Sequence, residues 1–312
     1  MAEPTVYKIR YARHVLSESN AGDNSGVDLH DPVLTTAERE EDWIKDKKLE
    51  EAKRGTGRKW AEGKMRGQFL QHEKKSRVFM VSPLTRAIQT FLLSVTEQEL
   101  RGSRIIVEPL LIEQTLWFSD RARAVTKIQD MIEHELEYRF NGRLKMNDLN
   151  IIWDRMIPSE TKDNERLDRP WHLKTNGWAP ENLLERGRLA VQVILQECKN
   201  FESYTGRSYT DYDICVFGHG GFVNYMTDKI GTVDVKLKVP RLTDWKTGEV
   251  REFKIYDYYT CCSLMVEEKD LPLTSQEAAV VNTKRRDLKD FITNMVHYNP
   301  EQELEFKKGL NA

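Results

Sequence analysis

The sequence predicts an α/β fold, with a mostly parallel sheet flanked by helices on both faces. Three observations carry that expectation. Short runs such as Val78-Phe-Met-Val81 and Ile214-Cys-Val-Phe217 are apolar without alternation, the pattern of strands buried on both faces. Between the runs lie segments with apolar residues at helical spacing, Ile88, Phe91, Leu92 and Val95 being the clearest. Charged and imidazole-bearing residues follow directly on several runs, and open α/β sheets bind ligands at the carboxyl ends of their strands.

Length and composition set the frame. A chain of 312 residues can bury a sizeable core in one large domain. Its 39% hydrophobic and 31% charged residues suit a globular protein with a well-charged surface. A net charge of −2 offers no general attraction to nucleic acid or to anionic membranes, so neither is expected as a partner. Any anion site must therefore be a local gathering of cations. No apolar run approaches the ~20 residues of a membrane span, and the first residues lack the pattern of a secretory signal. Cys198, Cys215, Cys261 and Cys262 form no C-x-x-C pair and have no zinc-finger spacing to histidine. Buried thiols in a reducing compartment, cytoplasmic or nuclear, are the expectation.

Taken in order, the alternating run Val6 to Tyr11 reads as a strand that ends in Arg13-His14. Asn20, Gly22, Asn24 and Gly26 give the next stretch a loop composition. Pro32 sets a turn, Thr35 or Thr36 can cap a charged helix over 37–54, and Gly55 and Gly57 stop it. A helix is expected over 60–72, a strand over 77–82, a helix from Arg86, and a strand at 105–108 left through Pro109 to Glu113. From Gln114 to Pro180 periodicity weakens, apart from a helix over 121–139. The stretch 114–180 is read as an inserted cap that folds over the site. A helix from Pro180, a strand at 213–217 and a helix over 222–230 follow. A basic surface segment with Lys236, Lys238, Arg241 and Lys246 precedes strands at 253–258 and 263–267, completing one domain over 1–270. The polar remainder, 271–312, is read as a helical tail packed on that domain, with its helix over 283–296.

The chemistry gathers at strand ends. A guanidinium such as that of Arg13 forks onto two phosphate oxygens, and a neutral imidazole such as that of His14 can attack phosphorus. Arg86 lies in the first turn of a helix, where the macrodipole disfavours a cation unless an anion is near. Glu113 and Gly218-His219-Gly220-Gly221 follow two further strands, so one sheet edge would collect Arg13, His14, Arg86, Glu113 and His219.

Arg13-His14 with Asn20 resembles the R-H-G-x-x-x-x-N signature of the histidine phosphatase (phosphoglycerate mutase-like) superfamily, branch 1 type. Asp31-Pro-x-Leu-Thr35, Ser82-Pro-Leu-Thr-Arg-Ala-Ile-Gln-Thr90, Pro109-x-x-x-Glu113 and Gly218-His-Gly-Gly221 are similar to its later blocks and occur in its order. The resemblance implies a phosphoglycerate mutase-like fold with an inserted cap, and a metal-independent phosphatase acting on a small phosphorylated metabolite without a cofactor. It implies that His14 is the nucleophile that becomes phosphohistidine. Arg13, Arg86 and His219 would surround the phosphoryl oxygens, with Asn20 and Gly220 also on the phosphate, and Glu113 would serve as general acid and base. A homo-oligomer is compatible with this reading.

The sequence departs from the family in two places. Val15 stands where the family usually has Gly, and a positive φ there would strain a β-branched residue. Gln114-Thr-Leu-Trp117 follows Glu113 in place of the tyrosine-glycine run of glycolytic mutases, which favours a phosphatase. A phosphomutase, and a protein that uses the cationic pocket to bind phosphate or an acid or for a non-phosphate reaction, are the alternatives. In the cap, Trp117, Arg121, Arg123, Trp153, Trp171 and Trp178 are candidates to line the substrate side.

Overall fold

The computed structural model describes residues 5–21, 29–36, 56–71, 76–114, 118–156, 171–173, 180–227, 233–234, 239–240, 245–258, 262–267 and 295–297. Its strands are β1 (Thr5–Arg13), β2 (Val78–Val81), β3 (Arg104–Val107), β4 (Asn150–Ile152), β5 (Ile214–Gly218), β6 (Val250–Tyr258) and β7 (Cys262–Glu267). They form one sheet in the order β7-β6-β1-β5-β2-β3-β4. β1, β5, β2, β3 and β4 run parallel, and β6 joins β1 antiparallel with β7 antiparallel beyond it. This is the mostly parallel α/β sheet expected from the apolar runs. Every residue of β2 and β5 is buried, which requires cover on both faces.

The cover comes from helices α1 (57–71), α2 (Thr85–Ser94), α3 (Glu97–Gly102), α4 (Val125–Phe140) and α5 (Pro180–Thr205). α2 packs on β2 and β5 and is itself covered by α1 and α4, so all ten of its residues are buried. α5 packs along β6 and β7. The expected glycine stop at Gly57 is instead a start: Thr56 caps α1, and a Cβ on Gly57 would lie 2.0 Å from the Leu16 carbonyl oxygen. The backbone approach, not chain termination, requires glycine there. The helix expected over 37–54 lies outside the described residues.

Described parts of the stretch 114–180, read as a cap, belong to the main fold. α4 packs on α2, and β4 extends the main sheet beside β3. Trp171–Leu173 pairs with Met295–His297, so two residues read as the end of a tail helix, Met295 and Val296, are strand. The rest of that helix lies outside the described residues. The helix expected over 222–230 is a single turn, Val223–Met226, before residues outside the description begin at 228. Val233–Asp234 pairs with Val239–Pro240, while Lys236, Lys238 and Arg241 lie outside the described residues. Cys198 and Cys215 are buried free thiols, and burial pushes that of Cys215 up to about 12. Among the described residues no helix is long and apolar enough to cross a membrane.

Candidate active site

Two strand ends create the centre. Arg13, the last residue of β1, is in register with Gly218, the last of β5, and the His14 amide donates to the Gly218 carbonyl at 3.0 Å. The chain therefore delivers His14 and His219 side by side from neighbouring parallel strands, with ring centroids 5.1 Å apart. Tyr11 fixes the second histidine: its hydroxyl accepts from the His219 amide at 2.9 Å and donates to the His219 carbonyl at 3.1 Å.

The segment 82–90 binds the other blocks together, one polar residue at a time. The Ser82 hydroxyl meets His219 Nε2 at 2.8 Å. The Thr85 amide and hydroxyl donate to the Asp31 carboxylate at 2.8 and 2.6 Å, placing an anion at the start of α2. Gln89 accepts from the Leu34 amide at 2.9 Å and donates to Glu135 at 2.6 Å. The Thr90 hydroxyl accepts from the Val15 amide at 3.2 Å while donating to the Arg86 carbonyl at 2.7 Å. Asp31 adopts φ 44°, a left-handed conformation that Asp tolerates better than most side chains.

Hydrogen bonding sets the state of both imidazoles. His14 Nδ1 lies 2.7 Å from the Val15 carbonyl oxygen, which can only accept, so the proton is on Nδ1 and Nε2 carries the lone pair. Arg86 Nε donates toward that Nε2 at 3.4 Å. Burial first, then the Arg86 and Arg13 charges, hold His14 well below the usual imidazole range, so it is neutral at pH 7. Burial and the same cations depress His219 likewise. The Ser82 hydroxyl also accepts from the Leu84 amide at 3.4 Å, and with a second lone pair and its own hydrogen it can serve His219 Nε2 as acceptor or as donor. His219 Nδ1 is buried and has no hydrogen-bond partner among the described residues. In the tautomer with the proton on Nδ1, that atom donates to an anion.

Arg86 is 3% exposed, and the anion its helix position calls for is Asp120, at 2.6 Å. Its other terminal nitrogen donates to the Ser119 carbonyl at 2.7 Å. Burial pushes the Asp120 carboxyl up to about 7, against the Arg86 charge, and Glu113 adds to the rise. Asp120, a residue without any local motif, thus carries a raised carboxyl, and burial also pushes that of Asp31 up to about 6. Glu113 is half-buried and accepts from the Gln114 amide at 2.8 Å. Arg186 of α5, fully buried, donates to the Ile112 and Glu113 carbonyls at 3.1 Å and lies 4.0 Å over the Phe222 ring. It holds the turn that presents Glu113. Burial lowers its guanidinium to about 9.

The glycines after β5 are close approaches to these same residues. A Cβ on Gly218 would meet the Tyr11 hydroxyl at 2.2 Å, and one on Gly220 would meet Arg13 Cδ at 2.9 Å. On Gly221 it would meet Glu113 Oε1 at 2.6 Å. Gly221→Ala must therefore displace the Glu113 carboxylate. Its kcat is expected to fall at least tenfold with little change in melting temperature, measured on an aryl phosphate and by thermal unfolding.

Arg13, half-buried, donates to the Trp245 carbonyl. Asn20 stands apart: its hydrogen bonds among the described residues are with Ser17, from the Ser17 hydroxyl at 2.8 Å and to the Ser17 carbonyl at 3.0 Å. Val15 is absent from the residues with positive φ, so the strain expected of a β-branched residue does not arise. Its side chain is buried, near Gly248, in the core. Arg121 is buried, and Arg123 donates to the Asp31 carbonyl at 3.3 Å. Trp153 packs on the core, whereas Trp117 and Trp178 lie outside the described residues.

Sequence residues that reached the site without being singled out are Tyr11, Ser82, Asp120 and Arg186. Only Arg186 had a separate signal. It falls on the apolar stripe Leu183, Ala190, Ile194 of α5, where a solvated cation does not belong.

No family model and no curated protein matches this sequence. Among solved structures, mycobacterial glucosyl-3-phosphoglycerate phosphatase is 13% identical with a TM-score of 0.43, over 85% of this chain and 98% of that one. The ecdysone phosphate phosphatase from Bombix mori is 14% identical with a TM-score of 0.36, over 91% and 99%. Phosphoserine phosphatase from Entamoeba histolytica is 14% identical with a TM-score of 0.38, over 79% and 90%.

Proposed function

We propose that this protein is a phosphomonoester hydrolase that acts on a small phosphorylated metabolite through a phosphohistidine on His14. One observation carries the reading. A buried imidazole, held neutral with its lone pair on Nε2, faces Arg86 and lies beside His219, ring centroids 5.1 Å apart. His14 Nε2 attacks phosphorus in line as the phosphorus–oxygen bond to the leaving group breaks. Arg13, Arg86 and His219 stabilise the charge on the equatorial oxygens. Glu113 protonates the departing oxygen, then takes a proton from the water that cleaves the phosphorus–nitrogen bond. The test is phosphate release, in EDTA, from an aryl phosphate and a panel of metabolite phosphates. Turnover of none of them by folded protein overturns the reading. A phosphomutase is the second reading, favoured by the burial of His14 and His219, which keeps water from a phosphoryl group. Isomerised phosphate ester in the same panel would identify it.

Glu113→Gln is expected to slow alkyl phosphates by 10²–10⁴-fold and an aryl phosphate by less than about tenfold, because a phenolate leaves without a proton. Equal losses on both would remove the acid role from Glu113.

Substrate must also displace the internal anion. Asp120 and the Ser119 carbonyl occupy the Arg86 fork that a phosphoryl group needs. Asp120→Asn is expected to lower KM for aryl phosphate and the inhibition constant of inorganic phosphate, each by roughly tenfold, with kcat retained. Asp120 titrates near 7 among Arg86, Glu113 and Asp31. Wild-type kcat/KM, divided by that of the variant, should therefore rise as pH falls from about 8 to 6. A collapse of kcat in Asp120→Asn would make this carboxyl part of the chemistry instead.

A further inference from the structure

We infer that a second anion site lies at the opposite edge of the sheet from His14, and that it takes a small ligand carrying two or more phosphate groups. β2, β3 and β4 run parallel, so their amino ends share the edge away from the imidazoles. There a cavity of about 460 Å³ is lined by Arg77, Arg101, Arg104, Arg207, Ser103 and Tyr204 among others, with no carboxylate among the described residues that line it. That volume falls within the range of small-ligand pockets.

Four guanidiniums around one cavity repel one another unless anions answer them. Three are answered from behind. Arg101 pairs with Glu97 at 3.1 Å and Asp148 at 3.7 Å, Arg104 with Glu197 at 3.8 Å, and Arg207 with Asp213 at 2.6 Å. A guanidinium carries five N–H groups, more than these carboxylates take up, so the arginines keep donors for a ligand. Arg104 is further pinned by stacking 4.2 Å over the Tyr204 ring. Arg77, just before β2, is exposed and makes no ion pair among the described residues. A second, independent observation points the same way. Ser103 lines the cavity, and its hydroxyl is buried with no hydrogen-bond partner among the described residues. A buried hydroxyl left unsatisfied carries a cost that a ligand oxygen would remove. Guanidinium forks with a hydroxyl donor match phosphate oxygens, and several forks match more than one phosphate.

The probe is inorganic pyrophosphate, titrated calorimetrically into the full-length wild-type protein, Arg77→Ala and Gly102→Trp. Arg77 has no ion pair to break. A Cβ on Gly102 meets nothing closer than Arg77 at 3.8 Å, so an indole there can fill the cavity. Wild type should bind pyrophosphate more tightly than orthophosphate. Arg77→Ala should weaken pyrophosphate by roughly tenfold, and Gly102→Trp should abolish this binding. Aryl phosphate turnover by both variants shows that the catalytic edge is intact, because neither residue lies there. Absence of pyrophosphate binding by wild type, or equal affinity in all three proteins, overturns the proposal.

Discussion

His14→Ala is expected to lower kcat for aryl phosphate by roughly 10⁴-fold or more while the protein remains folded. The loss is large because the imidazole supplies the bond-forming atom, and no neighbour can take its place. Ser82 engages the Nε2 of His219, and burial favours the protonated form of Asp120. The structural cost is small by comparison. The ring donates to the Val15 carbonyl next to it in sequence and accepts from Arg86 Nε at 3.4 Å. Removing those bonds and the ring volume costs on the order of 2–4 kcal/mol. Turnover and thermal unfolding of the same preparation separate the two effects. A variant that keeps most of its kcat would remove His14 from the chemistry.

Arg86→Ala should be the second most damaging change, and it should leave a pH signature. On activity, losing a preorganised cation at the transferring group costs roughly 10²–10³-fold in kcat. On stability, Asp120 loses the guanidinium that pairs with it, and removing one partner of a buried ion pair costs about 3–5 kcal/mol. Asp120 can escape that cost by taking a proton. Its carboxyl is already raised from 3.8 to about 7 with Arg86 beside it, and Arg86 acts to lower it, so removing Arg86 raises it further. The sign follows from linkage. A group whose folded pKa lies above its unfolded value binds more protons when folded, so stability falls as pH rises from the unfolded to the folded pKa. Arg86→Ala should lie closest to wild type in melting temperature near pH 5 and fall away toward pH 9. A difference that stays constant over that range would mean Asp120 does not titrate in the fold.

What was legible before the structure follows from how far each signal reaches along the chain. β2 and β5 declare themselves because burial on both faces demands consecutive apolar residues. Their ends carry Ser82 and Gly218-His219, so the site edge could be located from the same pattern. The position of Arg86 was informative too, because the helix dipole demanded a neighbouring anion. That the anion is Asp120 was not readable, since only the tertiary path of 118–120 brings it there. β4 was missed because three residues, two of them apolar, carry no periodicity. Gly57 was misread because glycine serves both to end helices and to admit a carbonyl, here that of Leu16. Arg186 could have been found by asking why a cation interrupts the apolar stripe of α5.

The most direct test of the central claim is to trap the covalent intermediate. Wild-type protein mixed with an aryl phosphate, quenched in base within milliseconds and digested for mass spectrometry, should carry a phosphoryl group on His14. That adduct should be lost in acid, survive base, and be absent from His14→Ala. A phosphoryl group found on another residue, or full turnover with none on His14, would contradict the account.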